Sequence, residues 1–132
     1  LIHVGRIKLI LKRNKNVKKR LFSNLEISFF EKKKNKYSCY AKRFAAKEAF
    51  SKSLGTGISR GIRFNEIQVK NNINGMPFLE IIGNSSKTVN KILNTKKFNT
   101  YLSLSDDKSI AIAYVITTTL WKTNTFFTFG TI

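Results

Sequence analysis

The fold class is decided at residues 43–57, which read RFAAKEAFSKSLGTG. This stretch is the end of a predicted helix over residues 38–54. The glycines Gly55 and Gly57 stop that helix, because glycine readily adopts the backbone conformation in which helices end. Apolar residues recur at helical spacing before this stretch and alternate with the period of a strand after it. The chain therefore changes from helices to strands at this point.

Two further helices are predicted in the first half of the chain. Residues 6–20 are strongly basic and carry an apolar stripe near helical spacing. Ser23 and Glu26 stand in the S-x-x-E pattern of a capping box, in which each residue's side chain binds a free backbone amide of the other. A short helix should follow this pair, to about residue 33.

The second half of the chain is predicted to form two hairpins separated by a helix: 66–70 with 78–82, then 85–94, then 101–105 with 109–116. Both faces of the segment 109–116 are apolar, so we expect a central strand that is buried on both faces. Helices followed by antiparallel strands indicate an α+β fold, with helices packed on a small antiparallel sheet. We expect one domain over 1–116. Residues 117–132 could be an extra strand, a partner contact or a disordered tail.

Positive charge dominates the composition. The 132 residues include 25 Lys or Arg and 7 Asp or Glu, a net charge of +18. Such a surface attracts polyanions, whether nucleic acid, a membrane surface, phosphorylated cofactors or an acidic protein. The abundance of Lys, Asn and Ile is also typical of an AT-rich genome, so charge alone does not identify the partner.

Several classes of protein are disfavoured by what the chain contains. The single cysteine, Cys39, excludes an internal disulfide and favours a reducing compartment, so we expect a cytoplasmic protein. Apolar runs are shorter than the ~20 residues that a membrane helix needs, and the start does not resemble a signal peptide. His3 is the one histidine, which makes a serine or cysteine hydrolase, or a zinc site, improbable.

Glu48 and Lys52 are the first candidates for chemistry. They stand four residues apart, so they share one face of the predicted helix. A surface ion pair worth a few tenths of a kcal/mol is the ordinary explanation for this spacing. A carboxylate beside an ammonium group would also suit a magnesium-bound pyrophosphate, because the carboxylate holds the metal while the ammonium neutralises phosphate oxygens. Both explanations remain open at this level.

The stretch 43–57 resembles the central signature of the holo-acyl-carrier-protein synthases, the small bacterial-type phosphopantetheinyl transferases. Shorter similarities occur at 61–64, 74–77 and 102–105, and the resemblance covers roughly residues 1–116. It implies transfer of 4'-phosphopantetheine from coenzyme A to a serine of acyl carrier protein, with Mg²⁺ as cofactor. It also implies a homotrimer whose active sites lie between neighbouring subunits.

The resemblance assigns roles to individual residues. Glu48 would be a magnesium ligand, and Lys52 would contact the coenzyme A phosphates; both would be catalytic. Arg43 would hold the 3'-phosphate of the nucleotide, while Gly55 and Gly57 would border the cofactor.

Two positions near the ends of the matched region depart from the family pattern: the position ahead of Leu1, and Asp106. The family has a second metal-binding Asp that would fall immediately ahead of Leu1, so we expect the chain as printed to be weakly active or inactive without it. Many relatives have a His near the nucleotide where this chain has Asp106.

Arg6 and Arg13 fall where the family places basic residues against the acidic helix of the carrier protein.

Two alternatives to an active transferase remain. Lysine and arginine in 8–20 and 32–36 are interleaved with aromatic residues, as in nucleic-acid-binding modules that stack bases: Phe29, Phe30, Tyr37 and Tyr40. The chain lacks a recognised nucleic-acid motif, so this function is less favoured. An inactive homologue is the second alternative.

Overall fold

The basic segment at the start of the chain forms two helices rather than the single helix predicted for 6–20. The computed structural model describes residues 1–55, 61–120 and 125–131, and of residues 120 and 125–131 it describes the backbone alone. After a short strand β1 (Ile2–His3), helix α1 spans Val4–Arg13 and helix α2 spans Lys15–Leu21. Asn14 separates them in an extended conformation, and its side chain accepts a hydrogen bond from the Asn16 amide at 3.0 Å. Asparagine is a favoured helix N-cap, so Asn14 starts α2 and thereby interrupts the single helix that was predicted.

The next two helices agree with the sequence patterns. Helix α3 spans Asn24–Glu31, and its capping box is present, with the Ser23 amide 3.0 Å from Glu26 Oε1 and the Glu26 amide 3.2 Å from Ser23 Oγ. Helix α4 spans Lys36–Ser53, two residues longer at its start than predicted. It is the central helix of the molecule, and most of its residues are buried.

The main sheet is built around one long strand. Strand β4 (Phe98–Asp106) and strand β5 (Ile110–Leu120) form the predicted antiparallel hairpin. The other edge of β5 pairs first with β1 and then, from Tyr114 onward, with strand β6 (Thr125–Thr131). The central position predicted for 109–116 is therefore confirmed.

The expected burial of this strand on both faces is wrong for the single chain. The face of β5 toward α4 is buried: Ala111, Ala113, Val115 and Thr117. On the opposite face Ile112 and Tyr114 are 44% and 42% exposed. Among the described residues, helix α4 covers the buried face, against which it packs its small residues Ala45, Ala46 and Ala49.

A smaller sheet and a last helix complete the fold. Strands β2 (Ile67–Asn71) and β3 (Pro77–Ile81) pair across a turn, in which Asn72 Oδ1 accepts hydrogen bonds from two turn amides at 2.9 Å. Helix α5 spans Gly83–Leu93, and its first turn is capped by the Glu66 carboxylate, which accepts from the Ser85 amide at 3.0 Å. The fold is α+β as predicted. Within the described residues, no helix combines the length and apolar character needed to cross a membrane.

Candidate functional site

A buried lysine that sequence reasoning overlooked organises the centre of the site. The Lys47 side chain is fully buried, and its ammonium donates to three oxygens: Glu26 Oε1 at 2.6 Å, the Leu21 carbonyl at 2.8 Å and the Phe64 carbonyl at 2.9 Å. Burial lowers the pKa of Lys47 to about 8, against the opposing attraction of the Glu26 carboxylate. These bonds join the end of α2, the start of α3 and the segment before β2 to the centre of α4.

Glu26 completes this arrangement from the other side. Its Oε1 atom accepts from Lys47 and from the Ser23 amide, and its Oε2 atom accepts from the Val69 amide at 3.2 Å. A buried carboxylate is costly unless its oxygens are hydrogen-bonded and its charge is paired, and here both conditions hold. Glu26, the acidic residue of the predicted capping box, is therefore also the anion of a buried ion pair with Lys47.

Glu48 is the next residue along α4, and it points in a different direction. It lines a cavity of about 280 Å³ together with Leu1, His3, Arg6 and Phe44. The Lys52 ammonium lies 3.8 Å from Glu48 Oε1, and the two side chains are 54% and 28% exposed. The predicted pairing of Glu48 with Lys52 on one helix face is therefore present, and both groups remain accessible to a ligand.

The donor set at Glu48 fits one carboxylate ligand of a hard cation. Residues 1–55, 61–120 and 125–131 contain no group of three or more His, Cys, Asp or Glu side chains that could hold a metal ion by themselves. Magnesium commonly binds through one or two carboxylates together with the phosphates of a substrate. A partly exposed Glu48 beside the Lys52 ammonium has this chemistry, with substrate oxygens left to complete the coordination.

Arg43 lies on the other side of α4. It is only 7% exposed, lines a separate cavity of about 250 Å³ beside Phe29 and Val69, and places its guanidinium carbon 5.1 Å from the centre of the Phe30 ring. Its Nε atom is buried without a hydrogen-bond partner in the described part of the chain. Burial lowers the pKa of Arg43, and nearby carboxylates, including Asp106, oppose that shift. A buried cation with an unused donor is suited to an anionic ligand.

The predicted site residues therefore fall into two places on one chain. Glu48 and Arg6 line the first cavity, and Lys52 is paired with Glu48, whereas Arg43 opens onto the second cavity. Asp106, which stands where many relatives have His, forms a salt bridge at 3.0 Å with Lys42, the neighbour of Arg43.

The remaining predicted residues lie at the edges of this region. Gly55 follows α4 with a φ of +77°, a conformation that favours glycine, whereas Gly57 lies outside the described residues. Arg6 and Arg13 are both exposed on α1, but only Arg6 reaches the cavity of Glu48.

Two of the four aromatic side chains named for base stacking are buried, whereas Phe29 is 49% exposed. Phe30 and Tyr40 are buried in a cluster with Phe22, where their rings contact one another. The Tyr37 ring is approached by the ammonium groups of Lys8, Lys12 and Lys36 at 5.5, 6.0 and 5.4 Å. The burial of Phe30 and Tyr40 removes two of the four rings on which the nucleic-acid-binding alternative depends.

Comparison with known proteins identifies the class. The family model described as the 4'-phosphopantetheinyl transferase superfamily matches residues 2–115. The chain belongs to this superfamily.

Within this superfamily, the chain is similar to individual holo-[acyl-carrier-protein] synthases. The chain is 45% identical over 104 residues to the holo-[acyl-carrier-protein] synthase of Pelagibacter ubique, covering 79% of this chain and 81% of that protein. The crystal structure of the holo-[acyl-carrier-protein] synthase from Neisseria meningitidis is similar with a TM-score of 0.76 at 27% identity, covering 88% of this chain and 91% of the other. The Helicobacter pylori enzyme, solved in complex with coenzyme A, gives 0.72 at 27% identity, with coverages of 88% and 94%. The resemblance to holo-acyl-carrier-protein synthases is confirmed.

Proposed function

We propose that this chain transfers 4'-phosphopantetheine from coenzyme A to a serine of an acyl carrier protein, using Mg²⁺. The serine oxygen forms a bond to the β-phosphorus of coenzyme A, and the bond from that phosphorus to the bridging oxygen breaks. Adenosine 3',5'-bisphosphate leaves, and the serine proton is released. The observation that carries the proposal is the accessible pair Glu48 and Lys52, in a chain similar over most of its length to holo-[acyl-carrier-protein] synthases.

The roles of Glu48 and Lys52 follow from their charges. Glu48 would hold the metal, and the Lys52 ammonium would contact phosphate oxygens that the metal leaves uncovered. When bound, Mg²⁺ supplies positive charge that offsets the negative charge on the pyrophosphate. Lys52 is 54% exposed and held only loosely by Glu48, so it can turn toward a phosphate.

An Asp placed immediately ahead of Leu1 would supply the second carboxylate that the family resemblance implies. Ile2 pairs with Ala111; a strand continued upstream in the same register would bring Leu1 opposite Ile112 and a preceding residue opposite Ala113. Paired residues of antiparallel strands point to the same face, and Ala113 faces α4. The Leu1 amino group is already close enough to interact electrostatically with Glu48 and Lys52. A carboxylate at that position would therefore face the helix that bears Glu48.

The separation of Arg43 from Glu48 supports an active site between subunits of a homotrimer. One coenzyme A molecule would reach the Glu48 cavity of one chain and the Arg43 cavity of its neighbour, where Arg43 would bind the 3'-phosphate. The exposed apolar residues on the outer face of β5 are suited to subunit contact. Gly55 and Gly57 would border the cofactor.

Arg6 and Arg13 would bind the acidic carrier protein. They are seven residues apart and exposed on α1, so they project from nearly the same face. Charge reversal of both should slow carrier association and reduce its salt dependence while sparing coenzyme A affinity. Separate titrations of the two substrates test this, and a selective loss of coenzyme A affinity would contradict it. We place the reaction, as a step of fatty acid biosynthesis, in the cytoplasm, because the free Cys39 favours a reducing compartment.

Glu48→Gln is the direct test of the catalytic assignment. The variant keeps the shape of the side chain but removes its charge, so transfer to an apo acyl carrier protein should fall by about 100-fold or more. Glu80→Gln is the matched control, because Glu80 is paired with Lys70 on the β2–β3 hairpin, away from this cavity. Near-normal transfer by Glu48→Gln would remove Glu48 from the site. Absence of transfer by the parent protein would favour an inactive homologue.

A further inference from the structure

A salt bridge between Lys42 and Asp106 lies beside the proposed 3'-phosphate site. The Lys42 Nζ atom is 3.0 Å from Asp106 Oδ1, and the two side chains are only 20% and 24% exposed. Asp106 is the last residue of β4, and Lys42 directly precedes Arg43 on α4. The salt bridge therefore joins the end of a hairpin strand to the part of the helix that carries Arg43.

The Asp106 carboxylate acts on Arg43 as well as on Lys42. It is close enough to Arg43 to attract the guanidinium group electrostatically. Arg43 is buried, lines the second cavity, and has an Nε atom without a hydrogen-bond partner in the described part of the chain. An anion that binds Arg43 from this cavity would therefore come under the repulsion of a nearby carboxylate.

The other charged side chains that line the second cavity are already paired. The two pairs are Glu26 with Lys47, and Lys70 with Glu80. Arg43 forms no salt bridge with another residue that the structure describes. Lys42 is the next cation beside Arg43, and Asp106 holds its ammonium group. The binding of an anion at Arg43 therefore depends on what Asp106 and Lys42 do.

The local balance of charge disfavours a phosphate at this place. A phosphate monoester carries between one and two negative charges at neutral pH, so it is sensitive to each charge near it. Asp106 cancels one of the two positive charges of Lys42 and Arg43. Lys42 can turn toward a phosphate only by leaving Asp106, and the carboxylate that it leaves would then repel the phosphate.

We propose that the salt bridge between Lys42 and Asp106 weakens the selection for a 3'-phosphate, so that this chain also accepts 3'-dephospho-coenzyme A as a donor. The inference rests on the proposed transfer function. The serine oxygen forms the same bond to phosphorus, and the same bond from that phosphorus to the bridging oxygen breaks. The serine proton is released, and adenosine 5'-monophosphate leaves in place of the bisphosphate.

Calorimetric titrations with coenzyme A and with 3'-dephospho-coenzyme A, in the absence of carrier protein, test the role of the salt bridge. The ratio of the two Kd values measures the preference for the 3'-phosphate. Asp106→Asn keeps the shape of the side chain and removes its charge, so the preference should rise by about 5-fold or more. Lys42→Met leaves the carboxylate unpaired beside Arg43, so the preference should fall.

Asp107→Asn is the matched control for the loss of one negative charge. The Asp107 carboxylate accepts hydrogen bonds from the Ser109 and Ile110 amides in the β4–β5 turn. The preference of this variant should stay within about twofold of the parent value, because its side chain is engaged in the turn. The inference is wrong if Asp106→Asn changes the preference no more than this control does. It is also wrong if Asp106→Asn and Lys42→Met shift the preference in the same direction, as a general disturbance of the site would.

A transfer assay with both donors separates this inference from the proposed function. The parent protein should load an apo acyl carrier protein from 3'-dephospho-coenzyme A with a kcat/KM within about 10-fold of that for coenzyme A. Transfer from coenzyme A alone would overturn the inference and leave the proposed function standing. Transfer from neither donor would overturn the proposed function and the second donor together, and the binding ratios would still decide whether the salt bridge governs selection of the 3'-phosphate.

Discussion

Replacement of Lys47 by methionine should strongly destabilise the fold. Methionine preserves most of the side-chain volume but removes the ammonium group, which leaves the buried Glu26 carboxylate without its cation. The Leu21 and Phe64 carbonyls each lose a donor as well. Removing one partner of a buried ion pair typically costs about 3–5 kcal/mol, because the other charge remains buried and uncompensated. That is a large part of the ~5–15 kcal/mol by which small domains are stable.

Glu26→Gln on the Lys47→Met background should restore part of this loss. The glutamine removes the unpaired negative charge, while its amide oxygen can still accept a hydrogen bond from the Ser23 or Val69 amide. The effects of the two substitutions should therefore not be additive, with an interaction free energy of about 1–3 kcal/mol.

Urea denaturation followed by far-ultraviolet circular dichroism measures these free energies of unfolding. Lys36→Met is the control, because Lys36 pairs with Glu31 at the surface and its loss should matter far less. The reasoning is refuted if Lys47→Met lowers the free energy of unfolding by less than about 1 kcal/mol. It is also refuted if the double variant is as unstable as the sum of the single variants.

Three further predictions concern pH, a glycine and subunit mixing. Hydrogen bonds from Lys18 and Tyr40 lower the pKa of Glu31 from 4.5 to about 2, so the stability that Glu31 contributes is complete above pH ~4.5 and is lost as the pH falls toward 2. Glu31→Gln should therefore make the free energy of unfolding depend less on pH in that range, and an unchanged dependence would contradict this. Gly83→Ala should lower the free energy of unfolding by about 1–3 kcal/mol, because the Gly83 φ is +61° and an added Cβ would lie 2.5 Å from the Glu66 carboxylate that caps α5. Gly5→Ala is the control and should not destabilise the fold, because its added Cβ would meet no atom within 4 Å. Equal effects of the two substitutions would refute the reasoning. Glu48→Gln and Arg43→Gln chains, refolded together, should regain roughly a quarter of parental transfer if each site combines two subunits, and no gain would place the site within one chain.

The elements of the fold followed from local patterns, and the exceptions have physical causes. The capping box and the β4–β5 hairpin depend on residues close in sequence, and both are present. The break at Asn14 was missed because the basic and apolar pattern continues through it, although asparagine is a recognised N-cap. The burial of Lys47 could not be predicted, because its acceptors come from segments up to 26 residues away in sequence.

The candidate site was predicted in part. The spacing of Glu48 and Lys52 placed them on one helix face, as observed. Arg43 precedes Glu48 by five residues, which is about 140° around a helix, so their opposite placement could have been read from the spacing alone. The exposed face of β5 could not be distinguished from a buried one, because its residues are apolar on both sides of the strand and a sequence pattern does not show what covers each side.

The central claim is tested most directly by the intact mass of an apo acyl carrier protein incubated with this chain, coenzyme A and Mg²⁺. Two forms should be compared, the chain as printed and a form with one Asp joined to Leu1. The account predicts that the carrier gains one phosphopantetheine group on serine as adenosine 3',5'-bisphosphate is released. Transfer should be faster with the added Asp, and it should stop when the metal is chelated or when Glu48→Gln is introduced. A carrier that keeps its mass with both forms, or transfer that is indifferent to both chelation and Glu48→Gln, would contradict it.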